Sequence, residues 1–198
     1  MTFAFDTIMI ESLLLPTVAF AAVAPGDVCA IGDTGYANFA DALAAVKDGD
    51  TIKLLANIDY SNGITISGKS VTFDLDSKYT LNCNTSSESA LRVMDGGEVK
   101  MLNEVLGTAE FNVTGVNFGV FTGYDSVANV SSATGTGNAE ISGVGVQVVA
   151  RSSVKVTGDV IGGIIGVYAF SSVSLQVIEP RCPQCLHRND FEAAKRIT

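Results

Sequence analysis

A repeat near the C-terminal end of the chain limits most strongly how the sequence can fold. Residues 146–156 align with residues 165–175, about 19 residues later, and each copy joins two alternating apolar and polar runs through a Ser-Ser pair. Alternation with a period of two predicts strands with one buried face. A unit this short cannot bury its apolar face alone, so the copies must stack. About 20 residues carrying two or three short strands is the size of one turn of a parallel β-helix.

Further short strands are predicted along most of the chain, separated by turn sequences such as Asn62-Gly63 and Asp95-Gly96-Gly97. The predicted strands are 50–55, 64–66, 70–75, 79–83, 90–93, 98–102, 109–113, 117–121, 126–130, 139–142, 145–150, 154–157, 164–169 and 173–178. A loose motif, apolar-x-apolar-Ser/Thr-Gly, recurs in 111–115, 139–143 and 154–158. We therefore expect an all-β protein, a parallel β-helix over residues 26–178.

One helix is predicted before the first of these strands, at about residues 38–47. Phe39, Ala42, Leu43 and Val46 follow helical spacing, and Asn38 is suited to cap the helix start. Asp41 occupies the capping-box position at the helix start, and Gly49 is expected to end the helix. Because the open end of a strand stack invites aggregation, an amphipathic helix here is expected to act as a lid.

Composition excludes some functions. A chain of 198 residues fits a single domain and can bury a hydrophobic core. The net charge of −9 opposes binding to nucleic acid, which requires clustered Lys and Arg. His187 is the single histidine, so the body of the chain cannot use histidine for acid–base or metal chemistry. We expect no nucleic-acid partner and no cofactor.

The two ends of the chain differ from its body. Residues 1–25 resemble a signal peptide, because the apolar run 13–24 is too short to span a membrane and contains the small-x-small pattern Ala19-Phe20-Ala21. Residues 1–11 lack basic side chains and carry Asp6 and Glu11, so either the start is misassigned or the true signal lies upstream. A buried N-terminal helix is the alternative. Residues 179–198 form a tail in which 189–197 could be a short helix. This tail either caps the stack or is a foreign junction at the end of a truncated reading frame.

Three segments carry a resemblance to a known family. Residues 36–43 with 48–55, residues 68–75 with 79–81, and residues 156–160 with 166–169 resemble bacterial surface proteins with right-handed parallel β-helix (pectin-lyase-like) domains. The resemblance covers about residues 28–178. It implies a right-handed β-helix and a secreted or cell-surface protein, and it says little about activity, because this fold carries lyases, hydrolases, adhesins and inert stalks alike.

Acidic-polysaccharide lyases of this fold use carboxylates that hold Ca²⁺ and a basic residue near the scissile bond. The matching side chains here are Asp74, Asp76 and Lys78 at one strand end, with Arg92 and Asp95 one turn onward. Two carboxylates supply only part of a calcium shell of six to eight oxygens. The simpler interpretation is a solvated strand face with Asp opposite Lys, so we assign no catalytic, cofactor-binding or metal-binding residue.

Cysteine forms the sharpest local motif of the chain. Cys182 and Cys185 form a Cys-x-x-Cys pair with His187 nearby, which gives at most three of the four ligands of a structural zinc site. A local disulfide, a redox role and no role at all are the alternatives. Cys29 and Cys83 could pair to staple the lid to the second turn, although nothing in the sequence fixes that pairing.

Three Asn-x-Ser/Thr sequons, at Asn84, Asn112 and Asn129, are interpreted as ordinary corner residues if the source is bacterial. Together these features predict an exported surface protein, an adhesin or a structural stalk, that binds a polysaccharide or a host surface protein without cleaving it. The alternatives are a polysaccharide lyase or hydrolase and a non-functional remnant of one.

Overall fold

The computed structural model of the chain describes residues 22–86, 88–138 and 142–178. This part is built almost entirely of strands, with one helix, α1 (Phe39–Ala45). The strands are β1 (Cys29–Ile31), β2 (Thr34–Tyr36), β3 (Thr51–Leu54), β4 (Ile58–Tyr60), β5 (Ile64–Ser67), β6 (Ser70–Asp74), β7 (Leu81–Asn84), β8 (Ser89–Met94), β9 (Glu98–Leu102), β10 (Phe111–Gly115), β11 (Phe118–Thr122), β12 (Val127–Val130), β13 (Ser132–Gly135), β14 (Val144–Val149), β15 (Ser153–Val156), β16 (Val160–Gly162), β17 (Ile165–Phe170) and β18 (Ser174–Val177).

From β3 onward, successive strands belong in turn to three different sheets, A, B and C. Sheet A contains β3, β6, β9, β12, β15 and β18; sheet B contains β4, β7, β10, β13 and β16; sheet C contains β5, β8, β11, β14 and β17. All pairings among these strands are parallel. We call three successive strands, one from each sheet, a rung. The all-β class and the parallel sheets are confirmed, and the arrangement is compatible with a β-solenoid.

The core lies between the three sheets because each strand turns alternate apolar side chains inward. In β6, for example, Val71 and Phe73 are fully buried while their neighbours are half-exposed. The rings of Phe73 from sheet A and Phe111 from sheet B meet edge to face at 5.1 Å, and Val93 from sheet C belongs to the same buried cluster. At about 1.5–3 kcal/mol for each large apolar side chain, this burial supplies most of the stabilisation.

The predicted helix is present and begins where the sequence indicated. Asn38 is the N-cap, and its side-chain oxygen accepts a hydrogen bond from the Ala40 amide at 2.9 Å. The buried ring of Phe39 lies 5.2 Å from the ring of Tyr60 in the first rung. The helix stops at Ala45, one turn before Gly49, so Gly49 belongs to the following turn and not to the helix end.

Strands β1 and β2 were not predicted. They form an antiparallel hairpin that pairs through β1 with β3 and so extends sheet A beyond the first rung. Three further strands, β4, β13 and β16, are also absent from the prediction. Strands β4 and β16 have only three residues, and β13 has Ala133 as its only apolar side chain, so alternation does not stand out. Of the strand predicted at 139–142, only Ser142 is described, and it lies outside the strands.

The predicted alignment of the repeat is wrong by two residues. Val146 pairs with Val167 and Val154 pairs with Leu175, so the second copy follows 21 residues after the first rather than 19. A shift of two preserves the inward and outward alternation, which is why the sequence alone could not choose between the two alignments. Elsewhere Asn112 pairs with Ser132, 20 residues on, whereas Leu81 pairs with Phe111, 30 residues on. The rungs are therefore regular in the core and uneven in their corners.

A column of glycines marks the corner between sheets B and C. Gly115, Gly135 and Gly162 pair side by side at the ends of β10, β13 and β16. A β-carbon added to any of them would collide with the backbone at the start of the next strand, Phe118, Val144 or Ile165 respectively. Close backbone approach therefore requires glycine here. Of the recurring motif's copies, residues 111–115 end at this corner, whereas residues 154–158 overlap β15 of sheet A. In the copy at 139–143, residues 139–141 lie outside the described residues.

Across 22–86, 88–138 and 142–178, the structure contains no helix with the length and apolar character needed to cross a membrane. Most of the leader predicted at 1–25, namely residues 1–21, lies outside the described residues. The whole of the tail predicted at 179–198 lies outside them as well. Both remain predictions.

Candidate functional site

Three of the candidate polar residues come together at the corner after β6. The Asp76 carboxylate forms ion pairs with Lys53 at 2.9 Å and Lys78 at 3.2 Å. Asp74 Oδ1 accepts hydrogen bonds from the Asp76 amide at 3.0 Å and from the Asn103 amide nitrogen at 2.6 Å. The strand ends at Asp74, and Asp76 has a φ of 51°, so the two carboxylates share a corner rather than a strand face.

These contacts favour the ionised form of Asp76. Its pKa is lowered, chiefly by the hydrogen bond from Lys53 and next by the one from Lys78. The pKa of Lys53 is raised in return by the hydrogen bond to Asp76. Both carboxylates thus already have protein partners at this corner.

Arg92 and Asp95 lie elsewhere, on and just after β8 of sheet C. The Asp95 carboxylate accepts a hydrogen bond from the Ser67 hydroxyl at 2.7 Å. The guanidinium of Arg92 lies over the ring of Phe121, 5.1 Å from its centroid, which is a cation–π contact. The structure therefore divides the five candidate residues between two sheets.

The suggested pairing of Cys29 with Cys83 is wrong. Both are free, buried thiols, Cys29 on β1 of sheet A and Cys83 on β7 of sheet B. Burial raises the pKa of Cys29 to about 11 and that of Cys83 to about 12. Both thiols pack in the core as small side chains, and Cys83 Sγ also donates to the carbonyls of Asn62 and Ala90. Cys182, Cys185 and His187 lie outside the described residues, so the zinc hypothesis has no geometry to test it.

No group of three or more His, Cys, Asp or Glu side chains in the described ranges is placed to hold a metal ion.

The outer face of sheet B carries a row of polar side chains, which we call the polar ladder: Asp59, Asn82, Asn112 and Ser132. Asn82 donates to Asp59 at 2.9 Å, Asn112 to Asn82 at 3.2 Å, and Ser132 to Asn112 at 2.6 Å. An open depression lies beside its C-terminal end, lined by Glu110, Asn112, Ser131, Ser132, Gly158 and Asp159. Since these polar groups bond to one another, the ladder's first effect is to tie the rungs together.

The sequon asparagines are not corner residues. Asn84 ends β7, Asn112 lies in β10 as part of the polar ladder, and Asn129 lies in β12. The expectation of corner positions is therefore wrong. Their side chains decorate the outer faces of sheets B and A.

The outer face of sheet C carries a different row, which we call the aromatic column: Thr65, Arg92, Phe121, Gln147 and Tyr168. These residues occupy neighbouring positions on five consecutive strands, so at about 4.8 Å per strand the column is about 19 Å long. Tyr168 is 45% exposed and Thr65 is exposed, while the other three are half-buried.

A second row flanks the aromatic column and widens its apolar surface. Ser67 pairs with Met94, and Val149 pairs with Phe170, which is 67% exposed. Between these pairs stands Gly123, where an added β-carbon would lie 3.4 Å from the Met94 sulfur. Sheet C thus presents rings, a guanidinium and an amide on one continuous strip.

Sequence reasoning found Arg92 but missed the rest of the aromatic column. Its members are separated by unequal intervals, because the corners differ in length, so no fixed period in the sequence points to them. Only the strand register, which the structure supplies, brings Arg92, Phe121 and Gln147 side by side.

The chain matches no protein-family model, and neither curated proteins nor solved structures give a match. The family resemblance of the sequence motifs therefore stands on those motifs alone.

Proposed function

We propose that this chain is an exported, right-handed parallel β-helix that binds polysaccharide at a cell surface without cleaving it. The three parallel sheets with one strand per sheet in each rung support the helix. The right hand is supported by the family resemblance and by the preference of parallel strand connections for that chirality. The apolar run 13–24 and the family resemblance support export.

The aromatic column is the observation that carries the binding proposal. Sugar rings present flat C–H faces that stack on aromatic rings, and equatorial hydroxyls that bond to guanidinium and amide groups. Phe121 and Tyr168 supply the rings, while Arg92 and Gln147 supply the polar partners. Stacked strands place these groups in a straight line across the sheet, which suits an extended, repetitive ligand such as a glycan chain.

The polar ladder on sheet B fits this role less well. Its amide and hydroxyl groups are engaged with one another from Asp59 to Ser132, so a ligand would have to break those bonds. The contact of Arg92 with Phe121 in the aromatic column is a cation–π contact rather than a hydrogen bond, so it does not occupy the N–H donors in the way that the ladder's bonds occupy its amides.

The experiment is a binding screen of the purified full chain against plant, mucin and bacterial polysaccharides. Phe121→Leu retains apolar bulk and removes the ring, and we expect it to weaken binding at least tenfold. The matched control is Tyr124→Leu, which removes a ring outside the aromatic column, at the corner after β11, where the side chain is 57% exposed. Equal binding by Phe121→Leu and the wild-type chain would refute the assignment to sheet C.

Export is tested separately. N-terminal sequencing of protein recovered from the culture medium should begin beyond the Ala19-Phe20-Ala21 pattern. Full-length protein retained in the cell would contradict export and leave the glycan-binding test unaffected.

A further inference from the structure

The two ends of the stack are built differently. At the N-terminal end the hairpin of β1 and β2 continues sheet A, and α1 packs Phe39 against the rings of Tyr60 and Phe73. At the other end β16, β17 and β18 are the outermost strands of sheets B, C and A. These three strands are consecutive in the chain, so the end of the stack is one continuous edge of strand backbone.

Inward-facing side chains at this end are open to solvent. Val177 is 38% exposed, although Val156, its partner in the preceding rung, is fully buried. Likewise Ala169 is exposed, while its partner Val148 is fully buried. The core therefore ends in an apolar surface that no described residue covers.

This edge lacks the features by which proteins normally prevent strand edges from pairing. Exposed edges are usually protected by charges, prolines or bulges. Between Val160 and Ile178 the sequence contains no Asp, Glu, Lys, Arg, His or Pro. Tyr168, Phe170 and Ile164 are exposed in the same segment. Such an edge favours association with another strand edge.

We propose that the C-terminal end of the stack binds the same end of a second copy of this chain. If a two-fold axis perpendicular to the long axis of the stack relates two copies, the strands of one copy run round the core in the opposite sense to those of the other. Facing strands then run antiparallel, and one sheet pairs with its own copy while the other two exchange partners. The surface is thus self-complementary, as a two-fold dimer requires.

Charge selects this end over the rest of the surface. The chain carries a net charge of −9, so two copies repel each other at most contacts. The segment from Val160 to Ile178 has no charge to oppose association there.

The test is the mass of the purified full chain by analytical ultracentrifugation across a wide range of concentrations. We expect the wild type to sediment as a dimer that dissociates on dilution. Val177→Lys places a charge on the exposed core end and should weaken the dimer at least 100-fold. Leu102→Lys is the matched control, because Leu102 is also an exposed apolar strand residue, 50% exposed, but lies within sheet A away from the edge.

Hydrogen exchange provides a second measurement that does not depend on the variant's stability. Backbone amides of β17 should exchange more slowly as the wild-type concentration rises, whereas those of β11, inside sheet C, should not respond. A wild-type monomer at every concentration, with β17 protection independent of concentration, would overturn the proposal. Equal dimer dissociation constants for Val177→Lys and Leu102→Lys would also overturn the proposal.

Discussion

Replacing Gly135 with alanine tests the close corner between sheets B and C. An alanine β-carbon there would lie 2.5 Å from the Val144 amide nitrogen and closer still to its carbonyl group, all of it backbone. Backbone cannot rotate away as a side chain can, so β13 or β14 must shift. Forcing extra atoms into a filled site typically costs about 1–3 kcal/mol, and we expect the free energy of unfolding to fall by that amount.

The matched control is Gly166→Ala, also within a strand. A β-carbon on Gly166 meets no atom within 4 Å and its φ is not in the left-handed region. Reduced freedom of the unfolded chain should therefore make this variant neutral or up to about 1 kcal/mol more stable than the wild type.

Urea unfolding followed by far-UV circular dichroism measures both variants, and thermal melting provides a check. For a chain of this size about 1 kcal/mol corresponds to about 2–4 °C in Tm, so the two variants should melt several degrees apart. Equal stability of Gly135→Ala and Gly166→Ala would refute the close approach of β13 and β14 at this corner.

Three other predictions concern single groups. Thr122→Val should raise the free energy of unfolding by about 1–3 kcal/mol, because the buried Thr122 hydroxyl finds no hydrogen-bond partner among the described residues; an unchanged urea midpoint would contradict this. Cys29 and Cys83 should resist alkylation at pH 8 in the native protein and react after unfolding, since burial raises the pKa of both thiols; site-resolved mass spectrometry would reveal native labelling or a disulfide. Because the pKa of Asp76 is lowered in the folded state, its ionised carboxylate stabilises the fold above the unfolded-state pKa of about 3.9, and this stabilisation is lost as the pH falls through the folded-state pKa. The free energy of unfolding of Asp76→Asn should therefore approach that of the wild type in acid. A constant difference between the two proteins from pH 7 to pH 2 would refute the ion pairs with Lys53 and Lys78.

Local patterns in the sequence predict the strand class and the helix well. The helical spacing from Phe39 and the cap at Asn38 depend on contacts within one turn, so the sequence carries them directly. Alternation likewise identifies strands such as β6 and β14, because each buries every second side chain.

Register and short strands depend on contacts between distant residues. The two-residue ambiguity at Val146 arises because period-two patterns look alike after a shift of two. Strand β13 was omitted because Ala133 is its only apolar side chain, so its sequence shows no alternation. The hairpin of β1 and β2 was missed because Thr34-Gly35-Tyr36 lacks apolar alternation and is fixed by pairing with β1.

The site follows the same division. Arg92 stood out in the sequence as a basic residue near carboxylates, but its partner in space is Phe121, 29 positions later in the chain. Asp74 and Asp76 were expected to lie close together because they are two residues apart. The ion pair of Asp76 with Lys53 was not expected, because Lys53 lies in the preceding rung. Chemistry between neighbouring rungs is hidden from the sequence until the register is known.

One measurement tests the central claim most directly. The purified full chain is incubated with the polysaccharide panel, with and without Ca²⁺, and binding and new chain ends are measured in the same samples. The proposal predicts binding to at least one polysaccharide, no new chain ends, no dependence on Ca²⁺, and loss of binding in Phe121→Leu. New chain ends that disappear in Asp74→Ala would contradict it and show that the chain is an enzyme.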